Sequence, residues 1–178
     1  MKLTLTHAFA AIILVLSFAA PVAAGPGEDG VAAYNDGVAA YNDGVAAYNR
    51  GDYLTALRLF RPLADQGVAI AQNNLGVLYE KGQGVSQNYA EAAKWYRLAA
   101  DQGAAVAQYN LGIMYATGHG LQRNYISAYM WLNLSAAQGN QGAENSRDRV
   151  ARLMAIAQIT EAQKLAREWK PTKQQPSR

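Results

Sequence analysis

The stretch AQNNLGVLYEKGQG, residues 71–84, returns as AQYNLGIMYATGHG at residues 107–120, 36 positions later. Extended outward, residues 68–103 and 104–139 are identical at 17 of 36 positions, and a period of this length belongs to stacked helical repeats. Within each unit the apolar spacing predicts two helices. Ala71, Leu75, Leu78 and Tyr79 fall at i, i+4, i+7 and i+8, one stripe of a first helix, and Leu111 and Tyr115 hold the matching places in the next copy. Tyr89, Ala92, Ala93, Tyr96, Ala99 and Ala100 form the stripe of a second helix, with Glu91, Lys94 and Arg97 opposite. Between the two helices, GQGVSQN and GHGLQRN place Gly82 and Gly84, then Gly118 and Gly120, where a turn needs backbone freedom.

The second helix closes on ADQG, ADQG and AAQG, which puts Gly67, Gly103 and Gly139 at the left-handed position past a helix C-terminus. Three such ends predict three hairpins: residues 43–67, 68–103 and 104–139. The first is compressed, because Gly51 aligns with Gly82 while Asp52 already aligns with Asn88. Gly76 and Gly112 stand inside helices, where glycine costs roughly 1 kcal/mol against alanine. A close approach by a neighbouring helix is the expected reason. Trp95 and Trp131 fall off the main stripe and are expected to reach the following helix pair.

Upstream, DGVAAYN occurs three times in succession over residues 29–49. Its valines and tyrosines alternate at spacings of 3 and 4, the a/d pattern of a coiled coil. Each heptad also carries Gly, Asn and Asp, which together lower helix stability by roughly 2 kcal/mol against alanine. Slipped duplication of a first helix is therefore favoured over a coiled-coil seam. Residues 43–49 serve as that helix, and residues 25–42 form a projecting or fraying extension with self-association through residues 29–42 as one consequence. Calcium binding does not fit aspartates that recur every seven residues.

Downstream, the third unit exchanges Glu91, Lys94 and Arg97 for Ser127, Met130 and Asn133. An apolar Met130 on a normally solvated face predicts that residues 140–170 dock there as a helical cap. Two stripes in that segment, Val150, Leu153, Met154, Ala157 and Ala162, Leu165, Ala166, Trp169, point about 120° apart, so a break is expected near residues 155–160. Residues 171–178 read as a disordered tail.

Residues 1–24 carry a basic start, an apolar run and small residues at 22–24, the pattern of a secretory signal peptide. Cleavage after Ala24 and a periplasmic or secreted location are the expectations. The chain holds no cysteine, so disulfides and thiolate metal sites are excluded. Of 16 Lys and Arg against 13 Asp and Glu, the basic excess lies beyond residue 142, interleaved with carboxylates, which favours a solvated face over nucleic-acid binding. The two histidines are His7 and His119, too few for a histidine metal cluster or, within a mature chain, for a charge-relay triad. No nucleophile-elbow, zinc-helix or phosphate-loop motif occurs. No catalytic, metal or cofactor-binding residue is assigned.

The pattern A-x-x-x-L-G-x-x-Y-x-x-G-x-G, followed by a Tyr-initiated helix with A-x-x-W and an A-x-Q-G close, resembles the Sel-one-like repeat (SLR), a relative of the tetratricopeptide repeat. The closing AREWKP at residues 166–171 resembles exported bacterial members of the same family, which commonly carry Thr-Pro where Ala155 and Ile156 stand here. The resemblance implies an all-α, right-handed solenoid of helix hairpins with a C-terminal cap, acting as a non-catalytic scaffold or adaptor of the bacterial cell envelope. A protein or peptide partner would lie on the concave face formed by the first helices, where Asn73, Val77, Glu80, Tyr109, Ile113 and Ala116 are the candidates. The alternative implied by some relatives is a cell-wall or β-lactam-directed hydrolase.

Overall fold

The computed structural model describes residues 28–172. The expected signal peptide and the end of the expected tail lie outside them. Eight α-helices, and no strand, occur among the described residues: α1 Glu28–Asn49, α2 Tyr53–Asp65, α3 Ala69–Lys81, α4 Tyr89–Asp101, α5 Ala105–Thr117, α6 Tyr125–Ala137, α7 Gln141–Ala151 and α8 Ile156–Glu168. α1 pairs with α2, α3 with α4 and α5 with α6, and each pair stacks on the next through α2–α3, α4–α5 and α6–α7 contacts. The chain is an all-α helical-repeat solenoid.

One kind of residue starts the second helix of every pair. Asp52, Asn88 and Asn124 each accept the backbone N–H three residues on, from Thr55 at 3.1 Å, Glu91 at 3.0 Å and Ser127 at 3.0 Å, which satisfies a donor that the helix itself leaves open. Asn140 does the same for α7. At the other end Gly67, Gly103 and Gly139 have φ of 89°, 93° and 86°, the left-handed close that their spacing predicts.

Leu75, Leu111, Tyr96 and Leu132 are fully buried. The helical glycines lie under the second helix: a Cβ on Gly76 would meet Tyr96 Cε1 at 2.6 Å, and one on Gly112 would meet Leu132 Cγ at 2.8 Å. Gly44 does the same in the first pair, 2.6 Å from Phe60 Cε1. Phe60, Tyr96 and Leu132 are successive residues at the 36-residue period, so one contact recurs three times.

Neighbouring pairs are tied by a ladder of glutamines. Gln72 Nε2 donates to the Ala64 carbonyl at 3.1 Å, and Gln102 Nε2 donates to Gln72 Oε1 at 2.7 Å. One period later Gln108 donates to the Ala100 carbonyl at 3.3 Å, and Gln138 donates to Gln108 Oε1 at 2.8 Å. Gln72 and Gln108 are buried, so these bonds offset amide desolvation that would otherwise count against the interface.

Four sequence expectations need correction. The tryptophans reach back to the preceding pair: the Trp95 ring in α4 lies under Arg61 of α2, and the Trp131 ring in α6 under Arg97 of α4, at 5.6 and 5.3 Å from cation to centroid, and only Trp131 also meets a following segment, at Trp169. Helical spacing reports a face and not which neighbour fills it. The docked part of α1 begins before residue 43, since Gly37 is buried and Ala40 and Tyr41 pack against the α2–α3 core. The C-terminal break falls at residues 152–155, slightly earlier than expected, and leaves Leu153 64% exposed and Ala157 exposed. The stripe that α7 buries is Ala143, Ser146 and Val150. Finally, Pro171 and Thr172 are exposed but tied down: Thr172 N–H donates to the Asp101 carbonyl at 2.7 Å.

Both α7 and α8 lie on α6 through Ala128, Tyr129 and Leu132, whereas Met130, half-buried, packs on the cluster between α4 and α6 rather than under these two helices. Trp169, just past α8, sets its ring edge to face against Trp131 at 5.9 Å. The chain end then runs back to the C-terminus of α4, where Gly103 faces Trp169 and Pro171.

Candidate functional site

The first helices of successive pairs touch along one layer. Asn74 Nδ2 donates to the Tyr41 hydroxyl across the α1–α3 seam at 3.4 Å, and Asn110 Nδ2 donates to Asn73 Oδ1 across the α3–α5 seam at 3.1 Å. Lys81 Nζ, at the end of α3, donates to the Tyr48 hydroxyl at 3.2 Å. Between α1 and α3 this layer opens into a groove of about 280 Å3 lined by Tyr41, Val45, Tyr48, Phe60, Asn74 and Val77. Its wall is apolar, with two phenol hydroxyls and one amide at the edge. That chemistry suits an apolar side chain flanked by peptide groups. Burial raises the Tyr41 hydroxyl above its ordinary pKa, against a smaller opposing effect of the Asn74 hydrogen bond, so Tyr41 stays a neutral donor and acceptor at physiological pH.

The six candidates from the sequence separate. Val77 lines the groove. Asn73 is buried in the α3–α5 seam. Glu80 is held by the buried Tyr96, whose hydroxyl donates to Glu80 Oε2 at 2.6 Å. Burial, then the hydrogen bond and charge of Glu80, push the Tyr96 hydroxyl well above the usual tyrosine range. Tyr109, Ile113 and Ala116 pack against the cluster that α6, α7 and α8 close around Ala128, Leu132, Ala143 and Ala162, so the cap occupies much of the surface they were expected to offer. Tyr41, Val45, Tyr48, Phe60 and Asn74 were not singled out as site residues. The tyrosines and valines of the heptads carried the signal, since an alternating stripe of that kind has to face something.

On another face, two arginines are held flat by aromatic rings. Arg61 lies 5.7 Å from the Tyr79 centroid and 5.6 Å from that of Trp95 and donates to the Tyr79 hydroxyl. Arg97 repeats the arrangement with Tyr115 at 5.4 Å and Trp131 at 5.3 Å, and donates to the Tyr115 hydroxyl. All three residues recur at the 36-residue period. A guanidinium over an indole adds attraction beyond contact area, and in each case it joins the second helices of two successive pairs.

Among the described residues no set of three or more His, Asp or Glu side chains is grouped as metal ligands would be. His119 is exposed, its ring 5.0 Å from that of Tyr89. Asp101 is raised by burial, opposed by the positive charge of Arg97, but its surroundings are the C-terminal strap. No described helix is long and apolar enough to cross a membrane.

Among solved structures, the chain is similar to a protective antigen of uropathogenic Escherichia coli displaying an SLR fold, with 30% identity and a TM-score of 0.72, covering 79% of this chain and 31% of the antigen. It is also similar to a Sel1 repeat protein from Oxalobacter formigenes, with 30% identity and a TM-score of 0.61, covering 73% of this chain and 56% of that one. The chain thus spans about a third of one relative's length and just over half of the other's. No curated protein matches it. The Sel1 repeat family model matches residues 30–68, 69–103 and 105–140, taking the heptads into its first unit. With three matched units that follow the observed hairpins, the chain belongs to the Sel1 repeat family, whose members generally mediate protein–protein interaction.

Proposed function

We propose that the chain is a non-catalytic scaffold of the bacterial cell envelope that holds a peptide segment of a partner protein in the groove between α1 and α3. The observation that carries this reading is the groove itself: an apolar pocket edged by the Tyr41 and Tyr48 hydroxyls and the Asn74 amide, on the helix layer that the sequence marked for binding. A side chain such as leucine fills a space of this size, and the polar edge pairs with the backbone beside it. The envelope location rests on the signal-peptide pattern of residues 1–24. The hydrolase alternative receives no support from grouped acid, base or nucleophile residues.

The test places a photo-crosslinking side chain at Val45 or Val77 and, as control, at Lys94, whose side chain is 71% exposed. In living cells a discrete adduct is expected from the groove positions and not from Lys94, and it is lost when Tyr41→Ala removes the groove wall. Equal labelling at Lys94, or adducts that survive Tyr41→Ala, would reject the groove as the site. Groove adducts confined to cytoplasmic proteins would reject the envelope.

A further inference from the structure

Residues 29–42 and 36–49 carry the same fourteen-residue sequence, DGVAAYNDGVAAYN. The second of these frames is the one that packs. Ala40 and Tyr41 contact the α2–α3 core, Gly44 lies under Phe60, Ala47 is fully buried, and Tyr48 accepts from Lys81. Each of these residues has an identical residue seven positions earlier: Ala33, Tyr34, Gly37, Ala40 and Tyr41. Seven residues are 20° short of two full helical turns and advance a helix by about 10.5 Å, so a displacement of one heptad returns nearly the same face to the same place.

We infer that α1 has two seats in the first hairpin, one heptad apart, and that the spare heptad is a second docking register. In the displaced register Gly37 lies under Phe60, Ala40 fills the hole of Ala47, and Tyr34, Val38 and Tyr41 rebuild the groove wall now made by Tyr41, Val45 and Tyr48. The groove is conserved between the two states. What changes is the connection. The link of residues 50–52 becomes one of residues 43–52, and the turn bonds from Arg50 to Ala46 and Ala47 and from Asp52 to Ala47 are given up. Loop-closure entropy grows only with the logarithm of length, and the seven residues released from the helix include glycine, asparagine and aspartate, poor helix formers. The observed register is the ground state, and the displaced one is the first state above it.

The experiment compares Gly44→Val in the full chain and in a chain lacking residues 36–42. Deletion alone leaves the observed register intact, because residues 29–35 supply the same sequence, and its melting temperature is expected to match that of the full chain. Gly44→Val meets Phe60 in the observed register. The full chain escapes by moving Gly37 into place, whereas the shortened chain has no second full frame. The loss in melting temperature in the full chain is therefore expected to be about half or less of that in the shortened chain, and Gly76→Val, which has no spare copy, is expected to lose equally in both. Hydrogen exchange read by mass spectrometry gives an independent measure: in full-length Gly44→Val, residues 43–49 lose protection while residues 36–42 keep theirs. Equal losses for Gly44→Val in the two backgrounds, unchanged protection of residues 43–49, or a shortened chain melting well below the full one would each overturn the two-register inference.

Discussion

A methyl group on Gly76 would lie 2.6 Å from Tyr96 Cε1, inside the contact distance of real side chains. The ring cannot yield freely, because its hydroxyl is fixed on Glu80. Gly76→Ala is expected to cost about 1–3 kcal/mol in overpacking, offset by about 1 kcal/mol of improved helix propensity, for a net loss of up to about 2 kcal/mol in urea unfolding. Gly120→Ala should cost more. Its φ is +70°, and the new Cβ would press on the carbonyl of Tyr89, backbone that no rotamer change can move. Gly84 meets the Tyr53 carbonyl in the same way, at 2.5 Å, so the second glycine of each long turn fixes how closely one hairpin follows another. Titration adds a separate test. The Asp52 carboxylate is held below the ordinary 3.8 by the Thr55 side chain first, by the Thr55 N–H hydrogen bond second and, less, by Arg50 and Arg58. A depressed acid stabilises the fold above its unfolded pKa and loses that contribution as pH falls through the folded one, so Asp52→Asn should flatten the acid limb below about pH 4 in thermal melts. Gly76 and Gly112 were legible because they broke a helix rule. Gly44 was not, because glycine recurs every seven residues there and one copy looks like another.

For α8, the residue at the N-cap is Ala155, which has no side-chain oxygen to offer. Gln158 Oε1 accepts from the Ala155 N–H at 2.9 Å, leaving half of a reciprocal cap in place. Ala155→Ser completes it and is expected to stabilise the chain by about 0.5–2 kcal/mol, read as a higher urea midpoint with unchanged slope. The Thr-Pro pair common in related chains would fall on this N-cap and the first helical position, where both residues are favoured. The two clashing stripes made the break visible in the sequence, but with that start signal absent its position drifted by a few residues. The same limit applies to the tryptophans. Spacing placed Trp95 and Trp131 off the main stripe correctly, but their partners Arg61 and Arg97 come from an earlier hairpin, a choice made by stacking geometry alone. Candidate residues on α5 show a related limit: Tyr109, Ile113 and Ala116 pack on the cluster that their partner helix α6 shares with α7 and α8, and spacing within one hairpin does not report what the cap brings there.

Across the molecule, a repeat array is bound by nearest-neighbour contacts, and its stability is close to a sum of unit and interface contributions. The C-terminal end departs from that rule. Trp169 packs on Trp131 of the third hairpin, and Thr172 bonds to Asp101 of the second, so the strap ties together units that a simple stack would let melt in turn. Truncation after Glu168 is expected to cost about 2 kcal/mol, less than a fully buried tryptophan because Trp169 is half-buried. It should also broaden the thermal transition, with tryptophan fluorescence changing before circular dichroism. The three-hairpin plan was readable from the 36-residue period. Of the strap, Trp169 was readable as the end of an apolar stripe, whereas Pro171 and Thr172 were not, because residues past the end of a helix carry no periodicity.

The glutamine ladder has a further consequence for length. Each rung consists of an amide from one helix start, a carbonyl from the preceding helix end and a second amide from the following helix end, and the rung at Gln72 is chemically the same as the rung at Gln108. A copy of residues 68–103 spliced in after Gly103 would find matching donors and acceptors waiting at both of its borders. The molecule is in this sense extensible in modules, with its grooved end and its strapped end left as terminal fittings.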